Sequence, residues 1–141
     1  MDLAAAVHVV GFLLSGMALG AMLLFAAVVT PLVFRNLPSD IASDFLRGMF
    51  PVYYAVLMAA TGIAALCLWP WPEAVVVAAV ALLFAFARWG LAPRIGRARD
   101  LSLLGNVEET RVFRRLHRLS VLTAVAQMLA LLTVLLRLAT A

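Results

Sequence analysis

Between Asp2 and Arg35 the chain runs for 32 residues without a formal charge. A helix rises about 1.5 Å per residue and the hydrocarbon core of a bilayer is about 30 Å thick, so about 20 apolar residues cross it. Further apolar stretches follow: 25 uncharged residues separate Arg47 from Glu73, 14 separate Glu73 from Arg88, and 18 separate Arg118 from Arg137. Spanning helices are predicted at about 3–30, 51–69, 73–91 and 119–136. The composition agrees, with 66% apolar and 13% charged residues in a chain of 141, against about 45–50% and about 25% in soluble domains. A soluble domain this small has too much surface to hide that much apolar side chain. An ordinary soluble enzyme and a disordered chain are excluded. The single cysteine, Cys67, excludes an intrachain disulfide framework and a cysteine-rich zinc site. The reading is all-α: one domain over 1–141, an integral membrane four-helix bundle.

Punctuation refines the boundaries. Pro31 falls near the end of the first span, and Pro51 suits the first turn of the second, where its missing N–H costs little. Trp69-Pro70-Trp71-Pro72 forces a tight turn whose indoles suit a membrane–water interface. Arg88 falls inside the third span and must snorkel or find a partner. Between the spans, Ser39 is read as the N-cap of an amphipathic helix over about 39–49, with Ile41, Phe45 and Met49 on one stripe. Asn106 and Glu109 resemble a capping box that opens a second amphipathic helix over about 106–118. Its apolar stripe is Val112, Leu116 and Leu119, opposite Arg111, Arg114, Arg115 and Arg118, and it leads straight into the fourth span. Gly96 to Gly105 is predicted to be a mobile loop. The first apolar stretch lacks a basic leader and is too long for a signal peptide, so it is read as a retained span.

All eleven basic residues are arginine. Ten of them, Arg35, Arg47, Arg88, Arg94, Arg97, Arg99, Arg111, Arg114, Arg115 and Arg118, fall in or beside the two long interhelical loops, and only Arg137 falls at the opposite ends. The positive-inside rule then puts both loops in the cytoplasm and both termini on the non-cytoplasmic side of a bacterial-type inner (plasma) membrane, as a multi-pass protein. With a net charge of +4 in so apolar a chain, the expected partners are membrane lipids with anionic headgroups, and not nucleic acid.

Two histidines are candidates for chemistry. His8 lies in the first turns of the first span and His117 at the start of the fourth, so about 25 Å or more separates them and no single haem iron or metal can take both within a monomer. His8 alone could ligate haem or copper; its simpler reading is an interfacial polar group bonded to a neighbouring helix. At the cytoplasmic end, Arg35, Tyr53, Tyr54, Arg88, Arg94, His117 and Ser120 converge. They read either as a hydrogen-bond network tying helix ends together or as a site for an anionic headgroup or other amphipathic ligand. Inside the spans there is no acidic residue to serve as a proton relay, and there is no phosphate loop, nucleophile elbow or zinc-binding helix motif. No catalytic residue and no cofactor is expected, haem or copper at His8 being the alternative. Gly16 and Gly20 form a GxxxG pair, and Gly11 with Ser15 a second small pair. Together they are predicted to be one helix-packing surface, within the chain or against a second copy or protein partner.

The residues Pro31, Phe34-Arg35, Leu37-Pro38 and Phe50-Pro51-Val52-Tyr53-Tyr54 resemble the first block of the transmembrane protein 205-like family, domain of unknown function 4149. Arg88-Trp89 with Pro93-Arg94 is similar to that family's end of the third helix, and Phe113, His117, Leu119 and Ser120 to its start of the fourth. The resemblance covers most of the chain in order. It implies a four-helix membrane bundle of unestablished activity, with a distant similarity to CopD-like bundles. Those include copper-resistance proteins and a protoporphyrinogen oxidase in which a first-helix histidine is linked to haem; His8 is the positional counterpart here. The third-helix lysine that goes with the oxidase activity has no counterpart, because the chain has no lysine.

Overall fold

The computed structural model describes residues 1–141 as four long helices: α1 (Leu3–Asn36), α2 (Ser39–Cys67), α3 (Pro72–Leu103) and α4 (Val107–Thr140). All four are long and apolar enough to cross a membrane. α1 packs on α2 and α4, and α3 packs on the same two helices, so the bundle is a square with antiparallel neighbours. Its interior is narrow. Ala18, Met22, Leu57, Leu68, Val77, Phe84, Leu131 and Val134 make up most of one continuous core. Only 26 residues are buried, while large apolar side chains such as Leu13, Met17, Leu82 and Leu122 face outward. A bundle whose solvent is hydrocarbon needs that apolar coat.

The helices run further than the sequence reading placed them. Pro31 does not end α1, and Pro93 does not break α3. In each case a π-helical turn precedes the proline, Phe25–Val29 in α1 and Ala87–Leu91 in α3. The last N–H before the proline reaches back five residues, from Thr30 to the Phe25 carbonyl and from Ala92 to the Ala87 carbonyl. Proline lacks an N–H and its ring crowds the carbonyl four residues back; one extra residue per turn shifts that carbonyl out of the way. Pro51 is not in a first turn either: it lies inside α2, which is continuous from Ser39. The separate amphipathic helix at 39–49 and the span at 51–69 are therefore one rod.

The stripe Ile41, Phe45, Met49 does not face the bundle. Ile41 and Phe45 are exposed, and Ala42 and Leu46 are the buried face. Ser39 is the first helical residue and not the cap. Leu37 and Pro38 are both extended, as the residue before a proline prefers, and Pro38 accepts the first helical bond from Ala42 N–H at 2.8 Å.

The predicted mobile loop from Gly96 to Gly105 is helical as far as Leu103. Leu104, Gly105 and Asn106 alone make the turn, with Gly105 at φ +91°, a backbone that favours glycine. The Asn106 cap forms as expected, its Oδ1 accepting from Glu109 N–H at 3.2 Å, and α4 continues unbroken from the 106–118 segment into the predicted span. Connectivity gathers the α1–α2 and α3–α4 turns, with ten of the eleven arginines, at one end of the bundle. Both termini and the α2–α3 turn lie at the other.

Candidate functional site

The arginine-rich end is built on an aromatic cluster. The π turn aims Phe25 into the bundle, where its ring stacks on Tyr53 at 4.4 Å and meets Phe50 at 5.3 Å. Phe50 stacks on Tyr54 at 5.6 Å, and Tyr54 reaches Phe84 of α3 at 6.4 Å. Of the seven residues predicted to converge here, Tyr53 and Tyr54 lie side by side in this cluster at 5.4 Å, half-buried, and Ser120 of α4 is half-buried at the same end. Arg35, Arg94 and His117 share the same end but are exposed. His117 stacks on Phe113, one turn earlier on α4, at 5.9 Å. Arg88 is half-buried in the π turn of α3, with its guanidinium 5.3 Å from the Trp89 ring.

A residue pair outside the predicted cluster ties this end together. Arg47 of α2 donates through Nη1 and Nη2 to the two carboxylate oxygens of Asp100 of α3, at 2.9 and 3.0 Å. The hydrogen-bonded guanidinium holds the Asp100 carboxyl below its usual range, and Asp100 raises Arg47 in return. The other nine arginines at this end form no salt bridge.

The opposite end holds a second polar group. Glu73 sits in the first turn of α3 and Arg137 in the last turn of α4. Antiparallel packing brings those helix ends together, each carrying the charge that its helix dipole favours. Arg137 Nε lies 2.9 Å from Glu73 Oε1. The Glu73 side chain is 7% exposed and that of Arg137 66%. Glu73 Oε2 is buried and has no hydrogen-bond partner. The reading that no acid enters the spans is thus corrected: a carboxylate is buried at the end of one. Sequence alone hid the pair because its members lie 64 positions apart, though Glu73 is the sole acid near that end besides Asp2, which caps α1.

His8 lies at the same end. Its ring is 4.9 Å from that of Trp71, and with Val9, Phe12, Leu138 and Ala139 it lines a shallow cleft of about 250 Å³. His117 precedes Leu138 by 21 residues on one unbroken helix, which at 1.5 Å per residue separates the two imidazoles by about 30 Å. No group of three or more His, Cys, Asp or Glu side chains with metal-site geometry occurs.

The interior carries one long polar side chain that sequence reasoning overlooked. Gln127, the only glutamine, is buried in α4 and donates from Nε2 to the Val80 carbonyl of α3 at 3.1 Å. Its isolation in an apolar run was the available signal.

The glycine surface is only partly as predicted. Gly11 and Ser15 are buried, and a Cβ at Gly11 would lie 2.8 Å from Leu68 Cγ. The contact seam of α1 then continues through Ala18 and Met22. Of the GxxxG pair, Gly16 touches α4 only through Leu135, at ordinary contact distance, and Gly20 faces open space and meets no other helix of the bundle.

A family model described as a domain of unknown function, DUF4149, matches residues 13–102. No curated protein and no solved structure matches the chain.

Proposed function

The chain belongs to the DUF4149 family, and from that premise we propose that it is a non-enzymatic multi-pass protein of a bacterial-type inner membrane that holds anionic lipid headgroups at its arginine-rich end. One observation carries the reading: of ten arginines gathered at that end, only Arg47 is neutralised by an acid of the chain. Unpaired guanidiniums beside a hydrocarbon-facing surface find their partners in phosphate, which accepts their N–H fork bidentately. Each basic residue near an anionic surface is worth about 1 kcal/mol. The face is a row: Arg111, Arg114, Arg115 and Arg118 lie on successive turns of α4, all exposed. The positive-inside bias supports an orientation with this end in the cytoplasm, where anionic lipid is met, and both termini outside.

Two measurements test it. Native mass spectrometry from micelles doped with phosphatidylglycerol and phosphatidylcholine should show preferential retention of the anionic lipid. Replacing those four α4 arginines by glutamine should reduce the preference. Equal retention of both lipids by the unaltered protein defeats the reading. Reporter fusions at Met1 and Ala141 should both report the non-cytoplasmic side; a cytoplasmic signal from either overturns the orientation.

A further inference from the structure

The Glu73–Arg137 pair is unfinished on both sides. Arg137 Nε lies 2.9 Å from Glu73 Oε1 as an ion pair, and the Nη edge of the guanidinium, with four of its five N–H donors, has no protein acceptor. Glu73 Oε2 is buried and has no donor. An orphan carboxylate oxygen is costly where water is excluded, and native structures seldom carry one without a use. The pair opens on a cleft of about 240 Å³ between α3 and α4, whose other walls include Val76, Ala130, Thr133 and Val134. Thr133 does not serve the carboxylate, because its hydroxyl donates to the Leu129 carbonyl at 2.8 Å.

The missing partner is defined by what the two side chains lack. Arg137 wants an anion that accepts several N–H bonds; Glu73 Oε2 wants a donor, and a cationic one is favoured. Both must sit side by side at a helix end, next to the exposed Trp69 and Trp71 that mark an interface. The remaining wall must be met by hydrocarbon. We propose that this cleft is a binding site for a phospholipid with a primary-ammonium headgroup, its phosphate accepting from Arg137 and its ammonium donating to Glu73 Oε2. The cleft holds the headgroup. The acyl chains lie along the outward faces of α3 and α4, where Val75, Leu82, Leu129 and Leu132 are exposed. Arg137 is free to turn its Nη edge to the phosphate, which uncovers the carboxylate beneath it. A choline headgroup fills the same space but has no N–H to give, and a glycerol headgroup leaves the carboxylate without a cation. This site rests on the chain spanning a bilayer, and not on the anionic-lipid reading of the opposite end.

The test uses the full chain in detergent, with phosphatidylethanolamine, phosphatidylcholine and phosphatidylglycerol offered at equal concentration and retention read by native mass spectrometry. Phosphatidylethanolamine should outlast phosphatidylcholine about tenfold, the factor that 1.4 kcal/mol gives. Glu73→Gln should bring that ratio close to one while leaving phosphatidylglycerol retention, which the arginine-rich end governs, unchanged. Ala130→Leu fills the cleft without touching the ion pair and should lower phosphatidylethanolamine retention even if the glutamine variant fails to fold. Equal retention of the ethanolamine and choline lipids by the unaltered protein overturns the proposal, as does a preference that survives both substitutions. Loss of phosphatidylglycerol selectivity alone would count against the opposite end and not against this site.

Discussion

The Arg47 guanidinium crosses directly over Gly96 to reach Asp100: a Cβ at that glycine would sit 2.8 Å from Nη2 and 3.0 Å from Nε. Glycine inside a helix ordinarily costs about 0.5–1 kcal/mol relative to alanine. Here it leaves the channel through which α2 holds α3 beyond the apolar spans. Arg47 can swing away, so Gly96→Ala removes the ion pair while gaining helix propensity, and the two effects on stability should largely offset. The diagnostic is a double-mutant cycle between Arg47→Gln and Asp100→Asn. Its coupling should be present in the native background and vanish in the Gly96→Ala background. A coupling that persists would mean the guanidinium does not need that space.

The same pair gives a pH dependence with a definite sign. Arg47 holds the Asp100 carboxyl below its usual range, so the folded state binds that proton less readily than the unfolded chain. The contribution is present above the ordinary carboxylate value and is lost as pH falls through the lowered one, in the region below about pH 4. Thermal unfolding in detergent should therefore differ between the native chain and Asp100→Asn at neutral pH and converge in acid. Both partners are about half exposed, so the gap should also shrink in high salt.

Along α1 the order of sensitivity should follow contact and not motif. A methyl at Gly11 meets Leu68, which is fully buried and has nowhere to go; Gly11→Ala should cost about 1–3 kcal/mol as an overpacked core does. Gly20→Ala adds its methyl to open space and should be neutral or slightly stabilising. Thermal melts of the two variants in one detergent decide it, and equal losses would place the seam elsewhere.

These contrasts show what the sequence could carry. Charge-free length and arginine asymmetry are properties of consecutive residues, so the four rods and their basic end were legible, as was the Asn106 cap. Helix ends were not. Pro31 reads as an end and Pro51 as a first-turn residue, yet Pro31 and Pro93 are absorbed by π turns and Pro51 is tolerated inside α2, because carbonyls freed in a spanning helix find partners nearby. Gly16 and Gly20 matched a packing pattern, but which face of a uniformly apolar helix turns inward is set by its neighbours. Arg47 was counted as a topology signal, while its partner Asp100 fell in a segment read as a loop. Glu73 and Arg137 meet only because α3 and α4 run antiparallel.

Gln127 offers a test of interior polarity. Its amide donates to a backbone carbonyl that already serves α3, in a setting where such interhelical bonds average about 0.6 kcal/mol. Gln127→Leu conserves volume and should cost no more than about that amount, read as a small drop in melting temperature. Gln127→Glu puts a carboxylate near the middle of a span, at about 2.5–3.5 kcal/mol, and should lower yield and melting temperature far more. A leucine variant as damaged as the glutamate variant would show that the amide has partners besides the Val80 carbonyl.

The unequal exposure of Glu73 and Arg137 makes their substitutions unequal too. Removing the exposed partner strands a buried carboxylate that already lacks a donor on Oε2; Arg137→Gln should cost about 1–3 kcal/mol, the penalty of a buried polar group left unsatisfied. Removing the buried charge leaves Arg137 facing the interface, where lipid phosphate and water solvate it, so Glu73→Gln should be the milder change. The double variant should be more stable than Arg137→Gln alone, because the stranded charge is gone. Melting temperatures of the three variants in one detergent give the order directly. If Glu73→Gln proves the most harmful, the carboxylate has a partner that the ion pair alone does not account for, and the α3–α4 end is held by more than Arg137.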